Sequence, residues 1–390
     1  MTDSPRILLL HAVAGAGHRR AAEAIADRLR ERGAITALVD ALRYTHPIFR
    51  AVYVGGGLRM ITRLPKLYGV AYRVTDRSTI DRVIRGPRHQ AQRLSAPLLL
   101  KAIEAFQPDA IISTHFLPAE LCAGWRRSGR LSAPLYTVIT DFEPHRLWQH
   151  IGTDGYCVPT AEAAGRLIHD GVDASIIQVT GIPIQNEFSH LPDRATARDR
   201  LRHDRDRSLV VIMGGGLGVG GIEAIAQALI EQPLDACIAF IAGRNRSLRR
   251  HLRQMSPDWI VRGFVDNMPD WLAAADLAIS KAGGLAASEL LAAGVPTIVL
   301  RSLTGHETMN ANYFASTGAA LLADSSGEAI QRAIELLGNG AQRERMMQAA
   351  LQAARPNAAE EIAEYVAYGA HTVNASRIAP HASRLTQQPI

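Results

Sequence analysis

Acid–base chemistry near the start of the chain rests on one side chain, His18. It follows Gly15-Ala16-Gly17 at the end of the apolar run in "RILLLHAVAGAGHRRAAEAIADRL" and stands where a helical pattern begins. A rigid element thus aims its ring, and the positive end of a helix disfavours the imidazolium, which keeps the ring a neutral base near pH 7. A helix-capping or simply exposed histidine would show the same spacing. A dinucleotide loop stays open as well, since Asp40 ends the next strand-like run and could reach a ribose. However, Arg20 stands where GxGxxG needs its third glycine, and no GK[ST] ending marks a P-loop.

Two later stretches have the residue types that grip anions and sugars. In "LVVIMGGGLGVGGIEAIAQAL" (209–229), Gly214, Gly215, Gly216, Gly218, Gly220 and Gly221 follow a β-branched run and precede a helix, so backbone amides could approach a bound group closely. In the stretch from Arg262 to Leu300 a strand ends at Ser280, Lys281-Ala282-Gly283-Gly284 turns, and a helix carries Ser288 and Glu289 near its start. Amides around Gly283–Ala287, including Leu285, form an anion site without a metal. Glu289 could take both hydroxyls of a ribose, or be only a charge suited to a first helical turn. "GHETMN" (305–310) adds Glu307 and Asn310, polar groups of the kind that bind sugar hydroxyls. A DxD, Asp204-Arg205-Asp206, lies in a charged stretch with no strand before it, so no metal is assigned to it.

Short apolar runs must hold these groups in place. Ile7–Val13, Ala110–Thr114, Leu135–Thr140, Leu209–Met213, Ile238–Ala242, Leu277–Ser280 and Thr297–Leu300 alternate with alanine- and leucine-rich helical stretches. That alternation predicts an α/β protein with parallel sheets and crossover helices. The expected organisation is a first domain over 1–187, a charged linker over 188–208 with a short helix, and a second domain over 209–357. A helix near 358–368 would return to the first domain, and 369–390 would be a loose tail. Two doubly wound domains place their ligand crevices at the carboxyl ends of the strands, so chemistry belongs in the cleft between them.

The chain has 390 residues, 47% of them hydrophobic and 21% charged, enough for two packed cores. Cys122, Cys157 and Cys237 lie far apart with no CxxC, which argues against a zinc framework and for a reducing compartment. No apolar run approaches the roughly 18–20 residues of a membrane span, and Ile7–Val13 is too short for a signal-peptide core. A cytosolic protein is expected. The net charge of +6 points to an anionic partner. Eleven bases between 50 and 101 face only Asp76 and Asp81 and interleave with apolar and aromatic residues, as on a surface lying in an anionic membrane or on a basic, partly buried helical region.

Four motifs together resemble one family. "GAGH" (15–18), "YTVITDFEPHRLWQH" (136–150) with "VTGIPIQNEF" (179–188), "MGGGLGVGGIEA" (213–224) with "AGRNRSL" (242–248), and "GFVDNMPDWLAAADLAISKAGG…SE" with "GHETMN" occur in the order found in the GT-B glycosyltransferases that make glycosyldiacylglycerols. These are the monogalactosyldiacylglycerol synthases and the processive diacylglycerol glucosyltransferases, relatives of the peptidoglycan N-acetylglucosaminyltransferase. The resemblance implies two Rossmann-like domains facing across a cleft and inverting transfer of galactose or glucose from a UDP-sugar to diacylglycerol or a glycosyldiacylglycerol. It makes His18 the general base, with Asp141 assisting or competing, and puts Gly17, His145 and Trp148 on the acceptor side. Gly215, Gly216 and Arg244 would border the donor, Phe264 and Val265 would hold the uracil, and Gly283, Gly284 and Leu285, with Ser288, would lie at the diphosphate. Glu289 would hold the ribose, and His306, Glu307 and Asn310 the sugar.

No cofactor, metal or nucleic acid is implied; the basic segment 50–101 would attach the protein peripherally to the inner face of the cell membrane. Departures from the family concern the donor side. His306 replaces a usual glutamine, Ala286 a threonine and Leu217 a polar residue, while Ala282 stands where proline or glycine varies. They leave the sugar open. Another acceptor, a UDP-sugar epimerase, a pyridine-nucleotide oxidoreductase and a nucleotide-dependent membrane regulator are the competing readings.

Overall fold

The computed structural model describes residues 4–12, 16–56, 69–70, 74–76, 96–216, 218, 221–301 and 305–369. Most of the basic segment 50–101 and the tail beyond 369 lie outside them, as do Gly15, Leu217, Gly220 and the side chain of His306.

Two parallel sheets of six strands each carry the fold. The first comprises β1 (Arg6–His11), β2 (Ile35–Asp40), β3 (Ala110–Ser113), β4 (Leu135–Val138), β5 (Gly155–Val158) and β6 (Ile177–Val179), in the order β2-β1-β3-β4-β5-β6. The second comprises β7 (Leu209–Met213), β8 (Cys237–Ile241), β9 (Ile260–Arg262), β10 (Leu277–Lys281), β11 (Thr297–Leu300) and β12 (Ala320–Ala323), in the order β12-β11-β10-β7-β8-β9. Strand order therefore reverses between β1 and β3 in one sheet and between β7 and β10 in the other. Beyond the carboxyl ends of those pairs, helices peel away to opposite faces and leave a crevice.

The apolar runs form strands because helices cover both faces of each sheet. Along β1, Ile7 and Leu9 pack with Ala22, Ile25 and Leu29 of the first helix (Ala16–Glu31), whereas Leu8 and Leu10 pack with Leu99, Leu117 and Trp125 on the opposite face. The second sheet repeats this with Val211 and Met213 on one side and Val210 and Ile212 on the other. Strands buried on both faces lose alternation and read as continuous apolar runs.

The polar stretch 188–208 contributes to the second domain's packing. Its helix (Arg194–Leu201) buries Ala197 in that core, and Arg198 reaches Asp276 just before β10. A helix over 358–369 inserts Ile362, Ala363 and Val366 beside Ile7 and Leu9 of the first sheet, with Arg32 paired to Glu360 and Glu364. No helix among the described residues is long and apolar enough to cross a membrane.

Candidate active site

His18 is the third residue of the first helix and lies at the β1/β3 switch point. Its Nδ1 is 2.8 Å from the backbone oxygen of Thr114 and 3.0 Å from Oγ1 of Thr140. A carbonyl oxygen only accepts, so Nδ1 carries the proton and the lone pair of the neutral ring sits on Nε2. The Thr114 hydroxyl donates to the His18 carbonyl oxygen (2.8 Å), which ties the start of the helix to the end of β3. Edge-on to the ring, at 4.6 Å between centroids, lies His115. Its Nδ1 accepts from the Leu117 amide, and burial, reinforced by His18 and His11, holds its pKa well below the usual histidine value. A neutral His115 adds no charge that would oppose a proton arriving on His18.

Across the gap, the helix Gly284–Ala292 begins after β10 with no side chain capping its amides. The first-turn amides of Gly284, Leu285 and Ala286 have no acceptor within the helix and form the positive end of its dipole. A methyl group at Gly283 would meet nothing within 4 Å, so the entrance is open there. Its own amide, however, donates to the Lys281 carbonyl (3.0 Å) to close the turn, and the Ser288 hydroxyl donates to the Gly284 carbonyl (3.0 Å). Glu289 is 7% exposed, and no hydrogen bond or ion pair joins its carboxylate to another described residue. Burial pushes its pKa up to about 7, against the opposing pull of Arg20. A buried carboxylate without a donor is costly, and two ligand hydroxyls would remove that cost. Lys281 Nζ lies 2.6 Å from Glu307 Oε1, at the border of this pocket.

Several contacts bring the two halves together. The Thr140 backbone oxygen sits so close to Gly284 that a Cβ there would lie 2.1 Å away. Gly17 faces Leu285, at 3.7 Å from its own ideal Cβ position. Phe142 stacks on Tyr313 at 4.2 Å, and the Asn310 side chain accepts from the Phe142 amide (2.9 Å) while donating to Asp141 (3.3 Å). Thr140 thus touches the candidate base with its side chain and the anion-site helix with its backbone.

Residues 18–184 match the family model of monogalactosyldiacylglycerol (MGDG) synthase, and residues 209–362 match the glycosyltransferase family 28 C-terminal domain. A processive diacylglycerol beta-glucosyltransferase of Bacillus cereus is 27% identical over 372 residues, 94% of both chains. The chain is a glycosyltransferase of the GT-B type, similar to these diacylglycerol enzymes. Among solved structures, Acinetobacter baumannii MurG superposes with a TM-score of 0.57 at 15% identity, covering 93% of this chain and 99% of its own. The UDP-GlcNAc 2-epimerase of Neisseria meningitidis, solved with UDP-GlcNAc, gives 0.57 at 12% identity and covers 93% and 100%. At those identities both show the fold alone.

In this glycosyltransferase the strand ends gather His18, Gly17, Asp141, Gly284, Leu285, Glu289 and Glu307 along the gap, but several side chains are oriented otherwise than their types suggest. His145 is buried, and its Nδ1 caps the turn Arg146–Trp148 by accepting from the Leu147 amide. Trp148 is also buried, and its indole N–H donates to Asp141 (3.3 Å), so it positions a carboxylate and backs His18. Asn310, expected at the sugar, has both ends of its amide engaged in the bridge between domains.

The second glycine loop serves packing as much as ligand approach. Gly215 and Gly218 have positive φ, the Gly216 carbonyl accepts from the Arg244 amide, and a Cβ at Gly243 would lie 2.7 Å from the Gly215 and Gly216 oxygens. Arg244 stacks on Phe264 at 4.9 Å. Sequence reasoning missed Thr114, Thr140, Lys281 and Arg20 as parts of the site. Thr114 and Thr140 end apolar runs and Lys281 directly follows one, a signal present in the sequence; Arg20 stands out there only as an interruption of a glycine pattern.

Proposed function

We propose that the protein transfers a hexose, glucose or galactose, from a UDP-sugar to diacylglycerol or a glycosyldiacylglycerol at the membrane surface, with inversion at the anomeric carbon. The observation that carries this reading is a histidine of fixed tautomer facing, across a closed gap, an uncapped helix start beside a buried carboxylate without a donor. His18 Nε2 takes the acceptor hydroxyl proton as that oxygen attacks, and the Thr114 carbonyl steadies the imidazolium through Nδ1–H. Asp141 is the weaker candidate base because its oxygens already accept from Trp148 and Asn310.

The Gly284–Ala286 amides meet the charge growing on the departing diphosphate without reorganising, and no metal is required. Glu289 takes the ribose diol, Phe264 and Val265 border the uracil, and Glu307 reads the sugar. The acceptor enters from the side where the chain leaves and re-enters segment 57–95. There Ile48 (69% exposed), Val52 (67%) and Leu98 (57%) offer apolar surface to lipid.

The activity for which the Bacillus cereus relative is named, and its coverage of 94% of this chain, favour transfer over epimerisation. The test is incubation with UDP-glucose or UDP-galactose and diacylglycerol vesicles, in EDTA, followed by mass and NMR analysis of the lipid. A β-linked glycolipid with release of UDP is expected. Turnover of the UDP-sugar with no lipid product, or transfer only on addition of a divalent metal, would overturn this reading.

A further inference from the structure

Arg20 belongs to the first domain, yet its guanidinium reaches across to the second. Nη1 donates to Gln185 (2.6 Å), Nη2 donates to the Val265 carbonyl (3.3 Å), and the group stacks on Phe264 at 4.8 Å. Arg244 stacks on the same ring at 4.9 Å. Two like charges thus converge on one phenyl group, where the carboxylate beside Arg20 is Asp266, 3.7 Å away and 94% exposed. Such a carboxylate in water compensates little. The arrangement suits an arriving anion better than the empty pocket.

One of the contacts holding Arg20 here is easily exchanged. Its bond to the Val265 oxygen is long, and it borrows an acceptor that a uracil N–H would claim. On the first helix, Arg20 lies one turn beyond Gly17 on the same face, and Gly17 faces Leu285 at the start of the anion-site helix. The field of Arg20 already reaches Glu289. A helix terminus supplies about half a charge, less than a diphosphate brings, and Lys281 is held by Glu307.

We propose that Arg20 is a two-position arm by which the acceptor-side domain senses a nucleoside diphosphate. Without nucleotide it holds the Val265 carbonyl. When the base takes that carbonyl, the guanidinium swings onto the diphosphate and draws the first helix, with His18, against the donor. The arm thereby discriminates diphosphates from the bare nucleoside. This inference rests on the donor reading above, and the experiment separates the two.

UDP and uridine are titrated calorimetrically into the full chain and into its Arg20→Ala and Arg20→Lys variants, with thermal melts as a folding control. Arg20→Ala should weaken UDP about tenfold or more while leaving uridine unchanged or slightly tighter, as loss of charged hydrogen bonds implies. Arg20→Lys should recover part of the UDP affinity, and it gives a smaller shift in the same direction should Arg20→Ala not fold. Equal weakening of both ligands, or no change in either, overturns the arm while leaving the donor site standing. Wild-type protein that binds no UDP overturns the donor reading, and the arm with it.

Discussion

The two switch points have the same architecture but differ in their state. At the first, the histidine and the carboxylate near it have partners: His18 is held by Thr114 and Thr140, and Asp141 by Trp148 and Asn310. At the second, Glu289 is buried without a donor, the helix start is uncapped, and Lys281 rests on Glu307. On the function proposed above, the acceptor side is preorganised, while the donor side presents groups that hydroxyls and phosphates would complete. A base gains from being fixed before reaction, because misplacement costs rate. A pocket that must bind and release a charged nucleotide gains from unmet hydrogen bonds that the ligand completes.

The comparison is broken first at its rigid end. His18→Ala should lower turnover by about 10²-fold or more with UDP affinity nearly unchanged, measured by product formation beside calorimetry. Unchanged turnover would remove His18 as the base. Next, Gly284→Ala places a methyl group 2.1 Å from the Thr140 oxygen and should wedge the domains apart. Turnover should drop roughly 10- to 100-fold with melting largely preserved, since the gap widens while each core stays packed.

Glu289→Gln sharpens the other side, with an expected loss in UDP affinity of about tenfold. Its pH signature is specific. Free Glu289 holds its proton up to about pH 7, whereas a carboxylate accepting two hydroxyls ionises at lower pH, so UDP binding must expel a proton below that value. Affinity should rise with pH towards 7 and level off above it, and Glu289→Gln should lose that slope. Stability runs the opposite way. The folded chain keeps this proton between about 4.5 and 7 while the unfolded chain has lost it, so Glu289 makes the nucleotide-free protein less stable as pH climbs through that window. Melting at pH 8 should therefore favour Glu289→Gln. The smallest effect is expected for Thr140→Val, which removes one bond to His18 but keeps the backbone contact with Gly284; kcat should fall a few-fold with KM for the donor unchanged.

Much of this was legible in the residues. β1, β7 and β10 stand out as apolar runs because both faces of a parallel sheet are covered, and the glycines after them mark where strands turn into helices at the crevice. His18 and Glu289 stand out as candidates because each lies in the first two turns of a helix that follows such a glycine turn. His145, Trp148 and Asn310 are not. Each has a residue type suited to ligands, and each is engaged by a partner whose position follows from folding: a turn amide two residues on, a carboxylate seven residues back, and a backbone amide from the other domain.

Sequence by itself determined the two doubly wound domains, the order of their loops and the placing of a base and an acid at opposite strand ends, because hydrophobic periodicity and glycine spacing are local properties. Tertiary structure alone decided which polar groups remain open. Thr140 spanning base and donor helix, Asn310 joining the domains, and Arg20 resting in a pocket of the other domain all depend on how far apart two packed cores come to rest. A hydrogen bond requires about 3 Å, and no local pattern of residues encodes that separation across a cleft.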